Sequence, residues 1–359
     1  MSLNIAIGQI EVKPNRVDLN IKKILDNIKR AQDNQIDLLV FPEMALGGYL
    51  LADRWLSDSF CQELMEYNEV IREASSQIAV AYGNIYLEKK SINKDGRRRR
   101  YNALYIYQNH RPAKRLQDIK YLPPGIQPKL LLPNYRFFDD SRYFFSLWDI
   151  AQDFGVDVDS LVSPFIIEQC HQNIPVGFQL CEDLWCDNYR YQKKPLNLTK
   201  ILLTKKSRYI VNLSASPWTK GKNQSRSDRL ASLRQDLKQN HAPFIYVNCV
   251  GAQNNGKNIV TFDGSSAVYN SKGEAIVLAD RSHQEELIFV KDFETPALPK
   301  QREDIEQKFL DKAMEKIKWS LNKLVSKEKI SESECNEIFG RIKPIVDLKD
   351  AVHNADLVI

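Results

Sequence analysis

Residues Asp37-Leu38-Leu39-Val40-Phe41-Pro42-Glu43 form an apolar run that ends on a proline and a carboxylate. A continuous apolar run of this length is typical of a strand that is buried on both faces. Residues 3–10 form a second such run, and an amphipathic helix separates the two, with apolar residues at Ile21, Ile24, Leu25 and Ile28. The alternation of buried strands with amphipathic helices predicts a layered α/β fold.

The same patterns predict further strands and a long helix downstream. The predicted strands are residues 80–86, 103–107, 174–179, 209–212, 244–248, 267–269 and 276–278, and the helix covers residues 225–239. Asp95-Gly96 is a hairpin-turn signal, and the basic run Arg97 to Arg100 follows it. We interpret this run as a solvated hairpin tip and expect no nucleic-acid partner, because no aromatic residues interleave with the arginines.

Composition and charge are those of an ordinary globular protein. The 359 residues are 43% hydrophobic and 27% charged, with a net charge of +5. No apolar run is long enough to span a bilayer and no secretory leader is recognisable, so we expect a cytoplasmic protein with no membrane association. The six cysteines have neither metal-ligand nor disulfide-framework spacing, and we expect reduced thiols and no metal site.

The composition changes at residues 293–299, where two prolines within four residues predict a stiff linker. We therefore divide the chain into a domain of residues 1–295 and a C-terminal appendage of residues 296–359.

Two reactive groups follow predicted buried strands. Glu43 comes after the run 38–42, and Cys181 comes after the run 176–180. Ligands in open α/β folds bind beyond the carboxyl ends of the strands, so both positions are favoured for chemistry. Taken singly, each has an ordinary interpretation, since a glutamate there is usually a loop carboxylate and a cysteine is usually a small buried apolar residue.

Five ordered motifs change this balance: Phe41-Pro42-Glu43-Met44, Leu132-Pro133-Asn134-Tyr135 with Phe138-Asp139-Asp140, Cys181-Glu182-Asp183-Leu184-Trp185, Asn212-Leu213-Ser214-Ala215-Ser216-Pro217 and Phe262-Asp263-Gly264-Ser265-Ser266. Together they resemble the nitrilase (carbon–nitrogen hydrolase) superfamily, and within it the glutaminase domain of glutamine-dependent NAD synthetases. The resemblance covers roughly residues 3–293. It implies a four-layer α-β-β-α sandwich.

The resemblance implies a Glu-Lys-Cys catalytic triad at Glu43, Lys129 and Cys181. Lys129 precedes the Leu-Pro-Asn-Tyr motif in the family's position. Lys120, which precedes a similar Leu-Pro pair, is the alternative, and we interpret it as a surface residue. Glu43 would take the thiol proton, because a free thiol with a pKa of about 8.5 is mostly protonated at neutral pH. Lys129 would stabilise the oxyanion. No metal or cofactor is required.

The resemblance also implies a pocket for the substrate. Its predicted lining residues are Tyr49, Tyr135, Phe138, Glu182, Trp185, Ser216 and Lys222. Glu182 would receive the amino group of the substrate, and Ser216 and Lys222 would approach its carboxylate. The family usually has arginine where this chain has Lys222, and lysine loses the bidentate geometry. We interpret Asn102 as a residue that hydrogen-bonds backbone groups at the start of a strand.

The appendage resembles part of the Rossmann domain of 3-hydroxyacyl-CoA dehydrogenase. Residues 305–325 are predicted to be helical, Ser331 with Glu334 is a capping-box signature, and residues 356–359 are predicted to form a strand. The segment has no G-x-G-x-x-G turn that could approach a pyrophosphate, so we expect a helical, partly Rossmann-like appendage that does not bind NAD.

Three functions agree with these residues. The first is hydrolysis of glutamine to glutamate and ammonia, with the ammonia passing to a separate NAD synthetase subunit. No Ser-Gly-Gly phosphate loop follows residue 273, so we expect no adenylation by this chain itself. The second is an amidase of the same superfamily that acts on another small amide or carbamoyl compound. The third is a non-catalytic scaffold. Superfamily members usually associate, which favours a homo-oligomer.

Overall fold

The computed structural model describes residues 2–93, 96–170, 172–191, 194–237, 242–279, 284–293, 302–342 and 344. The chain divides into two compact units, Met1–Pro296 and Ala297–Ile359, and each is described by itself.

The first unit contains seventeen described strands. They are β1 (Ile5–Gln9), β2 (Leu38–Val40), β3 (Ala79–Ile92), β4 (Arg98–Gln108), β5 (Arg111–Pro112), β6 (Ile126–Pro128), β7 (Phe165–Gln169), β8 (Gln172–Leu180), β9 (Arg190–Tyr191), β10 (Lys194–Pro195), β11 (Tyr209–Ser214), β12 (Phe244–Asn248), β13 (Val250–Asn254), β14 (Ile259–Asp263), β15 (Ala267–Tyr269), β16 (Ala275–Leu278) and β17 (Glu286–Val290).

The same unit contains six described α-helices. They are α1 (Val17–Asp33), α2 (Asp58–Ala74), α3 (Asp140–Tyr143), α4 (Leu147–Phe154), α5 (Leu198–Thr204) and α6 (Lys222–Leu237). Segments Ala52–Leu56, Val158–Leu161 and Cys181–Asn188 are 3₁₀-helical. Helices α2, α4 and α5 begin where a side chain caps a free backbone N–H group; Ser57, for example, accepts from the N–H of Phe60 at the start of α2.

Two larger sheets organise the unit. The first has the order β17-β1-β2-β3-β4-β5, with β6 also pairing with β4, and the second has the order β16-β15-β12-β11-β8-β7. Strands β1, β2 and β3 are parallel, and so are β8, β11 and β12. The carboxyl ends of parallel neighbours lie at one edge of each sheet, which is where the candidate site forms.

Buried apolar residues form three clusters. One lies between the first sheet and helices α1 and α2, and includes Ile24 and Leu64. The second contains residues of both sheets, such as Val40 and Val211. The third lies between the second sheet and helices α4 to α6, and includes Ile150 and Leu233. We interpret each cluster as the apolar packing between two neighbouring layers. The unit then has four layers, in the order helices, sheet, sheet and helices.

The predicted mixed α/β class is confirmed, and every predicted strand of residues 3–278 is present. The predicted helix at 225–239 begins earlier, at Lys222, and residue 239 lies outside the described residues. Strands β3 and β4 are longer than their apolar runs, because an antiparallel hairpin extends pairing into its polar ends.

The interpretation of the arginine run as a solvated tip is wrong for Arg100. Strand β4 begins at Arg98, so the run belongs to the strand and alternates between its faces. Arg100 is 4% exposed. It donates to the backbone oxygen of Leu56 and pairs with Asp58. The guanidinium of Arg99 lies over the ring of Phe145.

The second unit contains two described helices, α7 (Arg302–Val325) and α8 (Glu332–Gly340). The predicted capping box is confirmed: the Ser331 hydroxyl accepts from the Glu334 N–H, and the Glu334 carboxylate accepts from the Ser331 N–H. The strand predicted at 356–359 lies outside the described residues. Across the described parts of both units, none of the helices combines the length and apolar character needed to cross a bilayer.

Candidate active site

Glu43 lies three residues beyond β2 and is 1% exposed. One carboxylate oxygen, Oε1, accepts hydrogen bonds from Lys129 Nζ at 2.8 Å and from Asn102 Nδ2 at 2.7 Å. The other, Oε2, accepts from the backbone N–H of Ala215 at 3.0 Å. Ala215 directly follows β11, so donors from both sheets fix the orientation of this buried carboxylate.

Lys129 directly follows β6 and is fully buried. Its ammonium also lies 3.4 Å from Asp140 Oδ2 and 3.4 Å from the Tyr49 hydroxyl. Burial disfavours the charged form, but the carboxylates of Glu43 and Asp140 outweigh it and raise the pKa of Lys129 well above its usual value. The side chain is therefore a permanent cation at neutral pH.

Asp140 begins α3 and forms a second anionic partner for this cation. The hydroxyl of Tyr49 donates to its carboxylate, at 2.8 Å from Oδ1 and 2.7 Å from Oδ2. Burial raises the pKa of Asp140 to about 6, while Lys129 acts in the opposite direction. Two carboxylates and one ammonium thus share a buried network with a tyrosine.

Cys181 directly follows β8 and begins the 3₁₀ segment Cys181–Asn188. Its backbone has φ +35°, in the left-handed region that non-glycine residues rarely adopt. Burial and the nearby Glu43 carboxylate raise the pKa of the Cys181 thiol, while Lys129 lowers it. The Sγ atom forms no hydrogen bond with any described residue. The thiol is therefore largely protonated at neutral pH, and the charges of Glu43 and Lys129 both act on it.

Glu182 directly follows Cys181 and is 6% exposed. Its Oε2 accepts from the Tyr135 hydroxyl at 3.0 Å and its Oε1 from the Tyr189 hydroxyl at 2.8 Å. Burial raises the pKa of Glu182, and both tyrosines oppose this by hydrogen bonding to the carboxylate.

Lys222 is the first residue of α6, and its Nζ lies 4.6 Å from the ring centre of Trp185. Burial lowers the pKa of Lys222, whereas Cys181 raises it. Ser216 is held by Asn248, which accepts from the Ser216 N–H and donates to the Ser216 carbonyl. The site thus contains an acidic group, Glu182, and a basic group, Lys222, as well as the thiol.

Cys181, Glu182 and Lys222 line one small cavity of about 40 Å³, whereas Glu43, Lys129 and Asp140 are not among its lining residues. It brings together Cys181 and all seven residues predicted to contact substrate: Tyr49, Tyr135, Phe138, Glu182, Trp185, Ser216 and Lys222. It also includes Pro133, Arg136, Phe137, Pro217 and Thr219, which the sequence did not single out. Lys120, the alternative to Lys129, is exposed and lies over the ring of its neighbour Tyr121.

The interpretation of Asn102 is wrong. The residue lies inside β4 and not at its start, and its side chain donates to Glu43. Its carbonyl does accept a backbone bond, from the N–H of Lys129 at 2.8 Å. A fully buried side-chain amide within an apolar strand needs a hydrogen-bond partner. The polar Asn102 within Tyr101-Asn102-Ala103-Leu104 was such a signal, and the sequence analysis missed it.

Asp140 is the second functional residue that was missed, since the sequence analysis named it only as part of a motif. No distinguishing signal separates it from its neighbour Asp139 in the sequence. The described residues contain no group of three or more His, Cys, Asp or Glu side chains that could hold a metal ion.

The backbone of Glu43 lies close to Gly83 of β3. A Cβ atom at Gly83 would lie 2.5 Å from Glu43 Cα and 2.4 Å from Met44 N. Gly83→Ala is therefore expected to displace Glu43 and lower kcat about 100-fold, the usual result of a misplacement near 1 Å. Gly340→Ala is the control, because nothing lies within 4 Å of that position. Steady-state kinetics of both variants check this, and unchanged kcat in Gly83→Ala would contradict it.

Residues 4–292 match the family model described as carbon-nitrogen hydrolase, and residues 299–359 match the model described as the NAD binding domain of 3-hydroxyacyl-CoA dehydrogenase. Both resemblances seen in the sequence are confirmed.

Similar proteins include two glutamine-dependent NAD(+) synthetases. That of Synechocystis sp. is 29% identical over 76% of this chain and 43% of its own length. That of Thermotoga maritima is 29% identical over 80% of this chain and 42% of its own length. The chain thus spans less than half of the length of these relatives.

Two solved structures show the same fold. Glutamine-dependent NAD+ synthetase from Acinetobacter baumannii superposes with a TM-score of 0.61 at 25% identity, over 81% of this chain and 45% of that one. A mutant of the Nesterenkonia AN1 amidase from the nitrilase superfamily superposes with a TM-score of 0.58 at 15% identity, over 86% of this chain and 97% of that one. With four-fifths of its length matched by the family model, the chain belongs to the carbon-nitrogen hydrolase family.

Proposed function

We propose that this protein hydrolyses the side-chain amide of glutamine to glutamate and ammonia, with Cys181 as nucleophile, Glu43 as general base and Lys129 as oxyanion stabiliser. The observation that carries the proposal is the convergence of Glu43 and Lys129 beside a cavity that contains Cys181, Glu182 and Lys222.

The hydrogen bonds of Glu43 indicate which oxygen acts as the base. A carboxylate oxygen has two acceptor positions. Oε1 already accepts from Lys129 and Asn102, whereas Oε2 accepts only from Ala215 among the described residues. Oε2 therefore has room for the proton of the Cys181 thiol, and the raised pKa of that thiol makes such a base necessary.

The thiolate sulfur then attacks the carboxamide carbon, and the carbonyl electron pair moves to oxygen. The Lys129 ammonium stabilises this oxyanion. Collapse of the tetrahedral intermediate breaks the C–N bond, and Glu43 returns its proton to the departing ammonia. The resulting thioester is hydrolysed by a water molecule that Glu43 deprotonates, which releases glutamate and restores the thiol.

The choice of glutamine rests on the two charged residues of the cavity. Glu182, which accepts from two tyrosine hydroxyls, would bind the ammonium group of the substrate, and Lys222 and Ser216, which line the same cavity, would bind its carboxylate. The similarity to glutamine-dependent NAD(+) synthetases supports the same choice. We further propose that the ammonia serves a separate NAD synthetase subunit, and that the protein is a homo-oligomer.

Release of glutamate and ammonia from glutamine by the purified protein tests the proposal. Activity well above that of the Cys181→Ala variant supports it. Activity no higher than that of the variant would contradict it.

The second candidate is an amidase for another small amide. It is favoured by Lys222, whose ammonium lies against the face of Trp185 and presents a single charge where the family usually has a bidentate arginine. The superposition on the Nesterenkonia amidase over nearly the whole of that chain agrees with it. Acetamide, propionamide and a carbamoyl compound, assayed beside glutamine, separate the two functions.

Lys222→Met distinguishes the two candidates by kinetics. If the substrate carries a carboxylate, the variant loses a charge-assisted hydrogen bond of about 1.5–3 kcal/mol, and KM for glutamine should rise at least tenfold with a smaller change in kcat. Lys220→Met is the control, since that side chain is exposed. An unchanged KM in Lys222→Met would argue against recognition of an amino acid and for an uncharged amide.

A further inference from the structure

Asp183 bridges two segments that are distant in sequence. Its carboxylate is buried, with 1% exposure. Oδ1 accepts from the backbone N–H of Leu131 at 2.8 Å and of Leu130 at 3.2 Å. Oδ2 accepts from the backbone N–H of Leu180 at 3.0 Å. One side chain thus satisfies three buried backbone donors.

The bridged segments carry two of the three groups of the proposed reaction, the Lys129 ammonium and the Cys181 thiol. Leu130 and Leu131 directly follow Lys129, and Leu180 directly precedes Cys181. The left-handed backbone of Cys181 is sparsely populated for non-glycine residues, and such a conformation persists only where its surroundings fix it. The hydrogen bond to Leu180 lies next to this strained residue.

We propose that Asp183 is a positioning residue that sets the separation between the Lys129 ammonium and the Cys181 thiol. The proposal rests on the proposed function of those two residues. Asp183 itself lies outside the set of cavity-lining residues. It would act through the backbone of its neighbours and not by contact with substrate.

The chemistry of a carboxylate suits this position. An ionised carboxylate only accepts, so both oxygens can face N–H groups. In Asp183→Asn the carboxamide keeps one acceptor oxygen, and its NH₂ group faces a backbone N–H at the other position. The variant must therefore release either the Lys129 segment or the Cys181 turn, although its side chain has almost the same size.

Ionisation of Asp183 depends on two opposed effects. Burial raises its pKa to about 7, whereas the N–H groups of Leu180 and Leu131 favour the carboxylate. Alkaline buffer keeps the acceptor form populated, so the experiments are run there.

Alkylation by 2-chloroacetamide tests the proposal without any knowledge of the substrate. Peptide mass spectrometry follows Cys181 and the exposed Cys170 in the same sample, so Cys170 reports the reagent's intrinsic reactivity. We expect Asp183→Asn to slow the alkylation of Cys181 about tenfold or more, because Lys129 no longer stabilises its thiolate. Cys170 should react as in the wild type. Ile24→Ala, a core truncation in α1, is the destabilised control and should alkylate Cys181 within twofold of the wild type.

Alkylation of Cys181 in Asp183→Asn within twofold of the wild type would overturn the positioning role. In a glutaminase assay, the positioning role predicts that Asp183→Asn lowers kcat and keeps KM within twofold of the wild type. A loss of activity that the fraction of unfolded protein fully explains would contradict the role. A wild-type protein whose Cys181 is not alkylated at all would instead overturn the proposed function, and the role of Asp183 with it.

If Asp183→Asn does not fold, hydrogen exchange of the wild-type protein, measured at single amides, tests the proposal instead. A carboxylate that ties the two segments together makes the amides of Leu131 and Leu180 open with a common free energy. Exchange of the Leu131 amide a hundredfold faster than that of Leu180 would overturn the proposal.

Discussion

Replacement of Cys181 by alanine is expected to lower kcat for amide hydrolysis about a million-fold, the size of loss seen when a covalent nucleophile is removed. The reason is that no thioester can form, and the remaining groups cannot attack a carboxamide. The fold should be retained, because the thiol forms no hydrogen bond with the described residues. Product release and thermal unfolding of the same preparation measure both effects.

Cys170→Ala is the matched control for this variant, since Cys170 is an exposed free thiol. It should have wild-type kinetics. Residual activity of Cys181→Ala within tenfold of the wild type would show that another residue performs the chemistry.

Replacement of Lys129 by methionine has the second largest expected effect and acts on both activity and stability. Loss of an oxyanion donor should lower kcat about 100- to 1,000-fold. Removal of one partner from a buried ion pair should lower the free energy of unfolding by about 3–5 kcal/mol. Glu43 and Asp140 would then face each other in the same buried network with no intervening cation. Kinetics and denaturant unfolding measure the two losses.

The stability loss of Lys129→Met should depend on pH. The folded-state pKa of Asp140 is already raised to about 6. A raised carboxyl pKa means that stability is present below the unfolded-state pKa and is lost as the pH rises through the folded-state value. Without Lys129 the pKa of Asp140 rises further, so the variant should be least stable at alkaline pH and recover stability as the pH falls through that higher value. A stability difference that is independent of pH would contradict this coupling.

Lys120→Met is the control, and it also decides between the two lysines considered for the triad. Lys120 is exposed, so the substitution should change neither kcat nor the unfolding midpoint by a measurable amount. A loss of activity in Lys120→Met similar to that of Lys129→Met would contradict the assignment.

The sequence was informative wherever a chemical group follows a strand. Glu43 and Cys181 could each be identified as candidates because ligands in open α/β folds bind beyond the carboxyl ends of the strands. The apolar runs also located the strands, since burial on both faces leaves few polar residues in them. Lys129 needed more than spacing, because Lys120 precedes a similar pair of residues, and only the motif that continues beyond it favoured Lys129.

The contacts that hold the site together could not be predicted in this way. Asn102 lies 59 positions from Glu43, and Asp183 lies 53 positions from Leu130. The first pair is set by the order of strands within one sheet and the second by the packing of two sheets, and no local pattern encodes either. A buried polar residue in an apolar strand signals only that some partner exists. Arg100 is the same case, since its partner Asp58 comes from another element.

The most direct test of the central claim is detection of the thioester. The protein is mixed with glutamine, quenched in acid within one turnover and digested for peptide mass spectrometry. We expect a γ-glutamyl group on Cys181 of the wild type and on no other cysteine. Turnover of glutamine without an adduct at Cys181, or with the adduct on a different cysteine, would contradict the account.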